Sequence, residues 1–391
     1  MAEPGRRTIE ISLVLQGGGA LGAYEWGAVT ALIDGIAAAR SEGHTVVLRG
    51  VAGVSIGAIN AACLVGSASL ADARRRLDGL WADLTLHVPP LTPPALARDL
   101  ALFGLPGFYG PRADVWDILA WTALYDTAPL LGTLRRHVDF AALNGSPTAF
   151  VVTAVNVETG ALKRFRNASA AGSVVQDERH PDTGADHAVT IGPEHVLASG
   201  SLAPQFPWTE IDGHRYWDGG LVDNTPLGDA IEALSSDAAV ERLLVVMNLY
   251  PLQANRPANM GQVVDRVHEL SFGNRLRQDR AAAERVNAML RVIDDLAALS
   301  ESDGRILPPA LRTQVERFAR LKLVNVIDID FQDRGSGGEA GFDDANGLRD
   351  FSARTVEQRR SDGYALAAAR LEPAFAGRTG DTAFRSRLMT E

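Results

Sequence analysis

Short apolar runs and helical periodicities alternate along the first part of the chain. Residues 9–15, IEISLVL, form a β-branched run that passes directly into the glycine-rich stretch QGGGALG. Residues 20–40 then carry apolar side chains at spacings near three and four, which is typical of a helix. The same order returns with a strand over 46–54 and a helix over 58–65. Tandem strand-to-helix units predict a mainly parallel sheet with helices on both faces.

The second part of the chain has a different pattern. A buried strand is predicted over 242–249, and we expect the sheet to end near that point. Helices are expected over 260–299 and 348–371, with a late strand over 323–331 and a loose tail beyond 371. Glycine and acidic residues over 335–345 predict a mobile surface loop.

These patterns predict a three-layer α/β/α fold with a mainly parallel central sheet. The core is expected over 9–234. Residues 235–391 should hold the last core strand and a largely helical C-terminal extension. The apolar stretch LALFGLPGFYG over 100–110 has two interpretations, as core lining or as a mobile, lipid-contacting flap, and isolated apolar loops more often pack into the core.

Composition narrows the choice of function. The chain has 391 residues, of which 46% are hydrophobic and 22% charged, and its formal net charge is −10. This balance is typical of a globular protein and disfavours nucleic acid as a partner. No run reaches the roughly 18 apolar residues that a membrane span needs, so we expect at most peripheral membrane contact.

Cysteine content and the N-terminal sequence bear on the compartment. The single cysteine, Cys63, cannot form an intrachain disulfide, and its apolar neighbours indicate a buried hydrophobe. A reducing cytoplasm is therefore the default. The N-terminal apolar run is short and ends in glycines, which predicts a strand and not a signal peptide.

The first candidate site is the glycine loop over 17–22, GGGALG. It fits the GxGxxG pattern between a strand and a helix, but the acidic residue that dinucleotide binding expects after the next strand is absent. Nucleotide binding is therefore only a rival hypothesis. Closely spaced glycines leave backbone N–H groups open beside a helix N-terminus, which suits negative charge.

The second candidate site is the GVSIG pentapeptide around Ser55. GxSxG at a strand-to-helix junction is typical of a nucleophile elbow, in which a tight turn presents the serine hydroxyl above the sheet edge. Gly53 and Gly57 supply the small positions that such a turn needs. The structural alternative is a serine that caps the following helix.

A serine nucleophile needs a base, and an acid is the better candidate here. None of the eight histidines lies in a turn at the end of a predicted buried strand. His214, in IDGHRYW, is interpreted as part of a hairpin tip. Asp218, in YWDGG, follows a short strand, and Gly219 and Gly220 permit a tight turn after it. Alone, such a turn is ordinary, and the nearby Asp223 is interpreted as a turn or cap former.

Together these motifs resemble the patatin-like phospholipases. The resemblance rests on GGGALG followed by AYEWGAV, on GVSIGAINA, and on ASGSLAPQFPW leading into YWDGG, in that order. It implies that Ser55 is the acyl-accepting nucleophile and that Asp218 is its partner in a Ser-Asp dyad. It also implies that the amides of Gly17, Gly18 and Gly19 form the oxyanion hole. The remaining motif glycines are Gly22, Gly53, Gly57, Gly219 and Gly220.

The resemblance further implies a serine hydrolase of fatty-acyl esters, of lipase, phospholipase A or lysophospholipase type. An acyltransferase, a Ser-His-Asp esterase and a non-catalytic lipid-binding protein are the alternatives. The tail after Met247 resembles, more loosely, a C-terminal extension of some bacterial members. The roles open to that extension are packing on the sheet, self-association and shaping of the acyl site.

No cofactor or metal is expected. No group of His, Cys, Asp and Glu residues has the spacing of metal ligands. The late acidic residues are interpreted as solvated charge in a strand and a polar loop. They are Asp328, Asp330, Asp333, Asp343 and Asp344.

Overall fold

The structure of the chain is a computed structural model. It describes residues 6–89, 92–93, 96, 100–114, 116–170, 188–235, 237, 239–250, 256–257, 260, 263, 266–273, 308, 322–331, 348–377 and 384–388. Most of the helix predicted over 260–299, and the whole loop predicted over 335–345, lie outside these residues.

In the described part of the chain, nine strands form one sheet and two short strands form a separate ribbon. The strands are β1 (Thr8–Leu15), β2 (Thr45–Gly53), β3 (Gly110–Pro111), β4 (Tyr125–Asp126), β5 (Ala149–Asn156), β6 (Leu162–Arg166), β7 (Thr209–Ile211), β8 (His214–Asp218), β9 (Glu241–Asn248), β10 (Lys322–Asp330) and β11 (Phe384–Leu388). The order across the sheet is β11-β10-β9-β1-β2-β5-β8-β7, with β6 also paired to β5. The ribbon pairs β3 with β4.

The centre of this sheet is parallel and its edges are antiparallel. Strands β10, β9, β1, β2 and β5 pair in parallel. Strands β11, β6, β8 and β7 join in antiparallel fashion. Central strands are buried on both faces, which explains why β1 and β9 are almost continuously apolar. The predicted mainly parallel sheet is confirmed.

The expectation that the sheet ends near residue 249 is wrong. Strand β10 pairs in parallel with β9, and β11 pairs with β10 although the tail was expected to be loose. Each strand lies far along the chain from the strand that it joins, so no local sequence signal marks the pairing. One sheet therefore spans both regions that the sequence separates at 234.

Helices cover both faces of the sheet. They are α1 (Gly22–Ser41), α2 (Ile56–Val65), α3 (Leu70–Leu84), α4 (Ala128–His137), α5 (Phe140–Gly145), α6 (Pro193–Ser199), α7 (Leu227–Glu232) and α8 (Ala353–Phe375), with short 3-10 helices at Gly19–Leu21, Ala101–Phe103, Ile118–Ala120, Ala168–Ala170 and Gly219–Leu221. Leu13 and Leu15 of β1 face the larger core under α1, α2 and α8. Val14 faces the second core, where Ile231 of α7 packs. This alternation confirms the three-layer architecture.

The C-terminal helix α8 belongs to the larger core. It packs on α1 at two close backbone approaches. A Cβ on Gly27 would lie 1.9 Å from the carbonyl oxygen of Arg360, and one on Gly363 would lie 2.0 Å from that of Tyr24. Only glycine allows this separation, so residues far beyond the predicted core help to hold its first helix in place.

The apolar stretch 100–110 divides between the two roles that its sequence suggests. Leu105, Phe108 and Tyr109 are buried in the core, as the packing interpretation predicts. Leu102 and Phe103 are 54% and 77% exposed, so this part of the stretch lies at the surface.

Two smaller expectations also concern burial. Cys63 is fully buried, and burial raises the pKa of its thiol to about 12, which confirms the interpretation as a buried hydrophobe. Among the helices of the described residues, none combines the length and apolar character that a membrane crossing requires.

Candidate active site

Ser55 lies on a strained turn between β2 and α2. Strand β2 ends at Gly53 and α2 begins at Ile56, so the chain reverses direction within two residues. Ser55 has φ 54° and ψ −125°, a region that a residue with a Cβ occupies at a cost of about 1–3 kcal/mol. A Cβ on Gly57 would lie 2.4 Å from the carbonyl oxygen of Leu15. The close approach of β1 explains why this turn needs small residues, and the turn has the backbone geometry of a nucleophile elbow.

Asp218 lies at the end of β8, next to Ser55. The hydroxyl of Ser55 lies within hydrogen-bonding reach of its carboxylate and lowers the pKa of that carboxyl, although 163 positions separate the two residues in the sequence. The backbone N–H of Gly220 donates a hydrogen bond to the same carboxylate at 2.8 Å. The turn after β8 thus aims the carboxylate at the elbow, and the structure brings together the two residues that the sequence singles out.

The environment of Asp218 makes it an unusual carboxylate. Its side chain is 2% exposed, and burial raises the pKa of the carboxyl to about 7, against the opposing hydrogen bonds from Ser55 and Gly220. A free aspartate has a pKa of about 3.9 and is a weak base. Burial therefore makes Asp218 a better proton acceptor at neutral pH than a solvent-exposed aspartate.

A single short segment fixes both residues. Ser199, the last residue of α6, accepts a hydrogen bond from the backbone N–H of Ser55 at 2.9 Å. Two residues later, the carbonyl oxygen of Ser201 accepts one from the backbone N–H of Asp218 at 3.0 Å. This segment is the start of the ASGSLAPQFPW motif. The resemblance identifies this motif, but it does not indicate the hydrogen bond between Ser199 and Ser55.

The glycine loop lies directly against the elbow. A Cβ on Gly17 would lie 2.8 Å from the Cβ of Ser55. The backbone N–H of Gly17 donates to the side-chain oxygen of Asn224 at 3.0 Å, and the amide of Asn224 donates back to the carbonyl oxygen of Gly17 at 3.2 Å. The hydroxyl of Tyr250 also donates to this carbonyl oxygen, at 2.6 Å. Asn224 and Tyr250, neither of which the sequence indicated, therefore hold the loop in position.

The amides of the glycine loop differ in availability. The N–H of Gly17 is already used by Asn224, whereas no described acceptor receives a hydrogen bond from the N–H of Gly18 or Gly19. The loop leads into the 3-10 helix Gly19–Leu21, and the carbonyl oxygen of Leu348 accepts the N–H of Ala20 at 3.0 Å. Two open donors beside a serine form a geometry that accommodates negative charge.

The other motif glycines occupy positions where a side chain would collide with the site. An added Cβ would lie within 3.0 Å of Ile56 at Gly22, of Gly57 and Ala58 at Gly53, of Thr153 at Gly219 and of Asn224 at Gly220. All of them therefore surround the Ser55–Asp218 pair. Asp223 accepts the backbone N–H of Thr225 at 3.0 Å, in agreement with its interpretation as a turn former.

Ser55 and Asp218 open into a cavity of about 410 Å³. This volume lies within the roughly 300–1,000 Å³ of sites that bind small organic ligands. The apolar side chains on its wall are Ala101, Leu102, Phe108, Tyr109, Leu124, Tyr125, Leu202, Phe206, Tyr250, Phe272, Leu348 and Phe351. The pair thus faces a largely apolar space that is suited to an acyl chain.

The described histidines do not contact Ser55 through a hydrogen bond. His214 is exposed at the β7–β8 hairpin, as expected. His268, in contrast, lines the cavity, and its buried Nδ1 has no hydrogen-bond partner among the described residues. Burial lowers the pKa of His268, and the charge of Arg349 lowers it further. No motif points to His268, because this residue lies far along the chain from all of them.

The described residues contain no group of three His, Cys, Asp or Glu side chains with metal-binding geometry. Of the acidic residues weighed as ligands, Asp328 and Asp330 lie on β10. Asp333, Asp343 and Asp344 lie outside the described part of the chain.

A family model for the patatin-like phospholipases matches residues 13–231, which is more than half of the chain. The chain therefore belongs to the patatin-like phospholipase family, and the family is one of lipid hydrolases. The match contains Ser55 and Asp218 and ends before Tyr250, His268 and Arg349. Among curated proteins, none matches the chain.

Two solved structures are similar to the chain over most of its length. VipD from Legionella pneumophila is 15% identical, with 94% of this chain and 67% of that chain covered and a TM-score of 0.35. The ExoU–SpcU complex of the type III secretion system of Pseudomonas aeruginosa is 15% identical, with 95% and 76% covered and a TM-score of 0.29. Similarity at this level adds nothing to the assignment, which rests on the family match.

Proposed function

We propose that the protein hydrolyses fatty-acyl esters through an acyl-serine intermediate, with Ser55 as nucleophile and Asp218 as general base. The observation that carries the proposal is the proximity of the Ser55 hydroxyl to a buried carboxylate, with both residues lining a largely apolar cavity. This pair supplies a nucleophile and a proton acceptor in direct contact. It does so without a histidine.

In the first step, Oγ of Ser55 attacks the ester carbonyl carbon while the carboxylate of Asp218 takes its proton. The tetrahedral intermediate carries a negative oxygen, which the N–H groups of Gly18 and Gly19 stabilise. A single such donor is worth about 3–4 kcal/mol in the transition state. The N-terminus of α2, which begins directly after Ser55, adds a favourable dipole.

In the second step, the intermediate collapses and the carbonyl re-forms. The carbon–oxygen bond to the alcohol breaks, and the protonated Asp218 gives its proton to that alcohol as it leaves. Water then enters, loses a proton to Asp218 and attacks the acyl group on Ser55. The second collapse returns the proton to Oγ and releases the fatty acid.

The direct test compares the wild type with Ser55→Ala on p-nitrophenyl esters of increasing chain length, with phospholipid and lysophospholipid alongside. Ser41→Ala is the matched control, because Ser41 is an exposed serine at the end of α1. We expect Ser55→Ala to lose ester hydrolysis and Ser41→Ala to keep it. Equal hydrolysis by wild type and Ser55→Ala would refute the proposal.

We also propose that the cavity rim contacts a lipid surface. Leu102 and Phe103 are exposed beside the cavity, and helical positions 260, 263, 267 and 270 expose Met260, Val263, Val267 and Leu270. His268 and Phe272 of the same helical stretch line the cavity. Exposed apolar side chains at a cavity entrance are suited to a membrane surface. Phe103→Asp should reduce co-sedimentation with phospholipid vesicles, and undiminished binding would contradict this contact.

A further inference from the structure

Arg349 brings a positive charge to the solvent-facing edge of the cavity. It is exposed and lies in the cavity wall between Leu348 and the segment that leads into α8. The backbone around it is fixed on both sides. The carbonyl oxygen of Leu348 accepts the N–H of Ala20 at 3.0 Å, and that of Phe351 accepts the N–H of Leu86 at 2.8 Å. The position of Arg349 is therefore built into the fold.

The guanidinium of Arg349 has no protein partner in the described part of the chain. No hydrogen bond or ion pair joins its side chain to a described residue, whereas Asp218, the acid on the cavity wall, is engaged by Ser55 and Gly220. Burial raises the pKa of Tyr109 and of Tyr125, and the charge of Arg349 opposes both shifts. Both tyrosines line the cavity, so the charge of Arg349 acts on the cavity itself.

A free guanidinium beside an apolar cavity is complementary to an amphiphile that carries an anion near its ester. Arginine presents paired N–H donors that match two oxygens of a phosphate, and such hydrogen bonds are stronger than neutral ones. The net charge of the chain is −10, so overall charge does not attract an anion and the attraction must be local.

We propose that Arg349 binds the phosphate of a glycerophospholipid whose acyl ester lies at Ser55. This inference rests on the proposed function. Arg349 is then a specificity-determining residue that favours a phospholipid over a neutral glyceride with the same acyl chains. It lies outside the residues that the family model matches. A neutral glyceride leaves the guanidinium in water and gains nothing from it.

The test measures the ratio of kcat/KM for a short-chain phosphatidylglycerol to kcat/KM for the diacylglycerol with the same chains. Both substrates are kept monomeric, so that binding to a lipid surface does not contribute. We expect Arg349→Gln to lower this ratio about tenfold, because a charge-assisted hydrogen bond is lost. Arg349→Lys should lie between, since it keeps the charge without the paired donors. Arg354→Gln, an exposed arginine of α8 away from the cavity wall, should not change the ratio.

An unchanged ratio in Arg349→Gln would overturn the proposal, and so would an equal change in Arg354→Gln. A wild type that cleaves only the neutral diester would also overturn it, while leaving the hydrolase proposal intact. Inhibition by inorganic phosphate that depends on Arg349, without a change in the ratio, would assign the residue to free phosphate and overturn the lipid assignment. Hydrolysis of both substrates by Ser55→Ala would instead refute the proposed function.

Discussion

The two sides of the cavity are built in different ways. The inner wall, formed by Gly17, Gly18, Gly19, Ser55 and Asp218, lies within the family match and is held by tight turns and by hydrogen bonds between backbone groups and side chains. The outer wall, formed by Tyr250, His268, Phe272, Leu348, Arg349 and Phe351, lies beyond the match. We therefore propose that the chemistry depends on the turns of the inner wall, and that substrate choice depends on the side chains of the outer wall.

Removing the proposed base on the inner wall should reduce activity more than any other change except the loss of Ser55. Asp218→Asn keeps the shape of the side chain but cannot take the proton of Ser55, so kcat should fall by about 10²- to 10⁴-fold. The matched control is Asp223→Asn, five residues further along, whose oxygen can still accept the N–H of Thr225. Measurement of p-nitrophenyl ester hydrolysis decides the point. Comparable losses in both variants would show that Asp218 has no special role.

Gly19 lies where the inner and outer walls meet. It has φ +53°, and an added Cβ would lie 2.4 Å from the carbonyl oxygen of Leu348. Gly19→Ala should therefore lower the free energy of unfolding by about 2 kcal/mol or more and also reduce activity. Gly228→Ala is the control, because a Cβ there meets no atom within 4 Å and a helical alanine should be neutral or stabilising. Chemical denaturation of both variants gives the comparison, and a Gly19→Ala protein as stable as the control would contradict it.

The pH dependence tests the buried state of Asp218. Because its pKa is raised to about 7, kcat/KM on a neutral ester should fall about tenfold per pH unit below about 7 and level off above it. Stability should move the other way. The folded protein holds this proton more tightly than the unfolded chain, so its contribution to the free energy of unfolding should fall as pH rises from 3.8 to about 7. Asp218→Asn should abolish this part of the pH dependence of unfolding, and an unaltered profile would show that the carboxyl titrates normally.

The smallest effect on stability and activity is expected from a substitution in the outer wall. Tyr250→Phe removes the hydroxyl that donates to the carbonyl oxygen of Gly17, but Asn224 still holds the glycine loop. We expect a loss of about 1 kcal/mol in stability and a few-fold loss in kcat. Tyr364→Phe removes an exposed hydrogen bond to Asp34 and serves as control. A loss as large as that of Asp218→Asn would place Tyr250 in the chemistry itself and erase the distinction between the walls.

The parts of the site that could be predicted from the sequence are those with local signals. The elbow at Ser55 and the turn after Asp218 each follow a strand and contain glycines, and their packing requires those residue types. Their proximity could be expected from the resemblance, and the structure places them in contact. The raised pKa of Asp218 could not be predicted, because it depends on burial by the whole fold.

The remaining features depend on contacts between distant segments. Ser199 holds the backbone of Ser55 from 144 positions away, and Tyr250 holds Gly17 from 233 positions away. Nothing in the immediate sequence of either residue marks such a partner. Strand β10 was predicted as a strand but not as part of the sheet, and β11 was not predicted, for the same reason: the neighbour of each strand is set by the folded sheet.

The central claim is that Asp218, and not a histidine, activates Ser55. The most direct measurement is the rate and position of labelling by a fluorophosphonate, with peptide mass mapping, in wild type, Asp218→Asn, His214→Ala and His268→Gln. We predict one labelled residue, Ser55, with slow labelling in Asp218→Asn and labelling close to that of the wild type in both histidine variants. Labelling that survives in Asp218→Asn but is lost in His268→Gln would contradict the account.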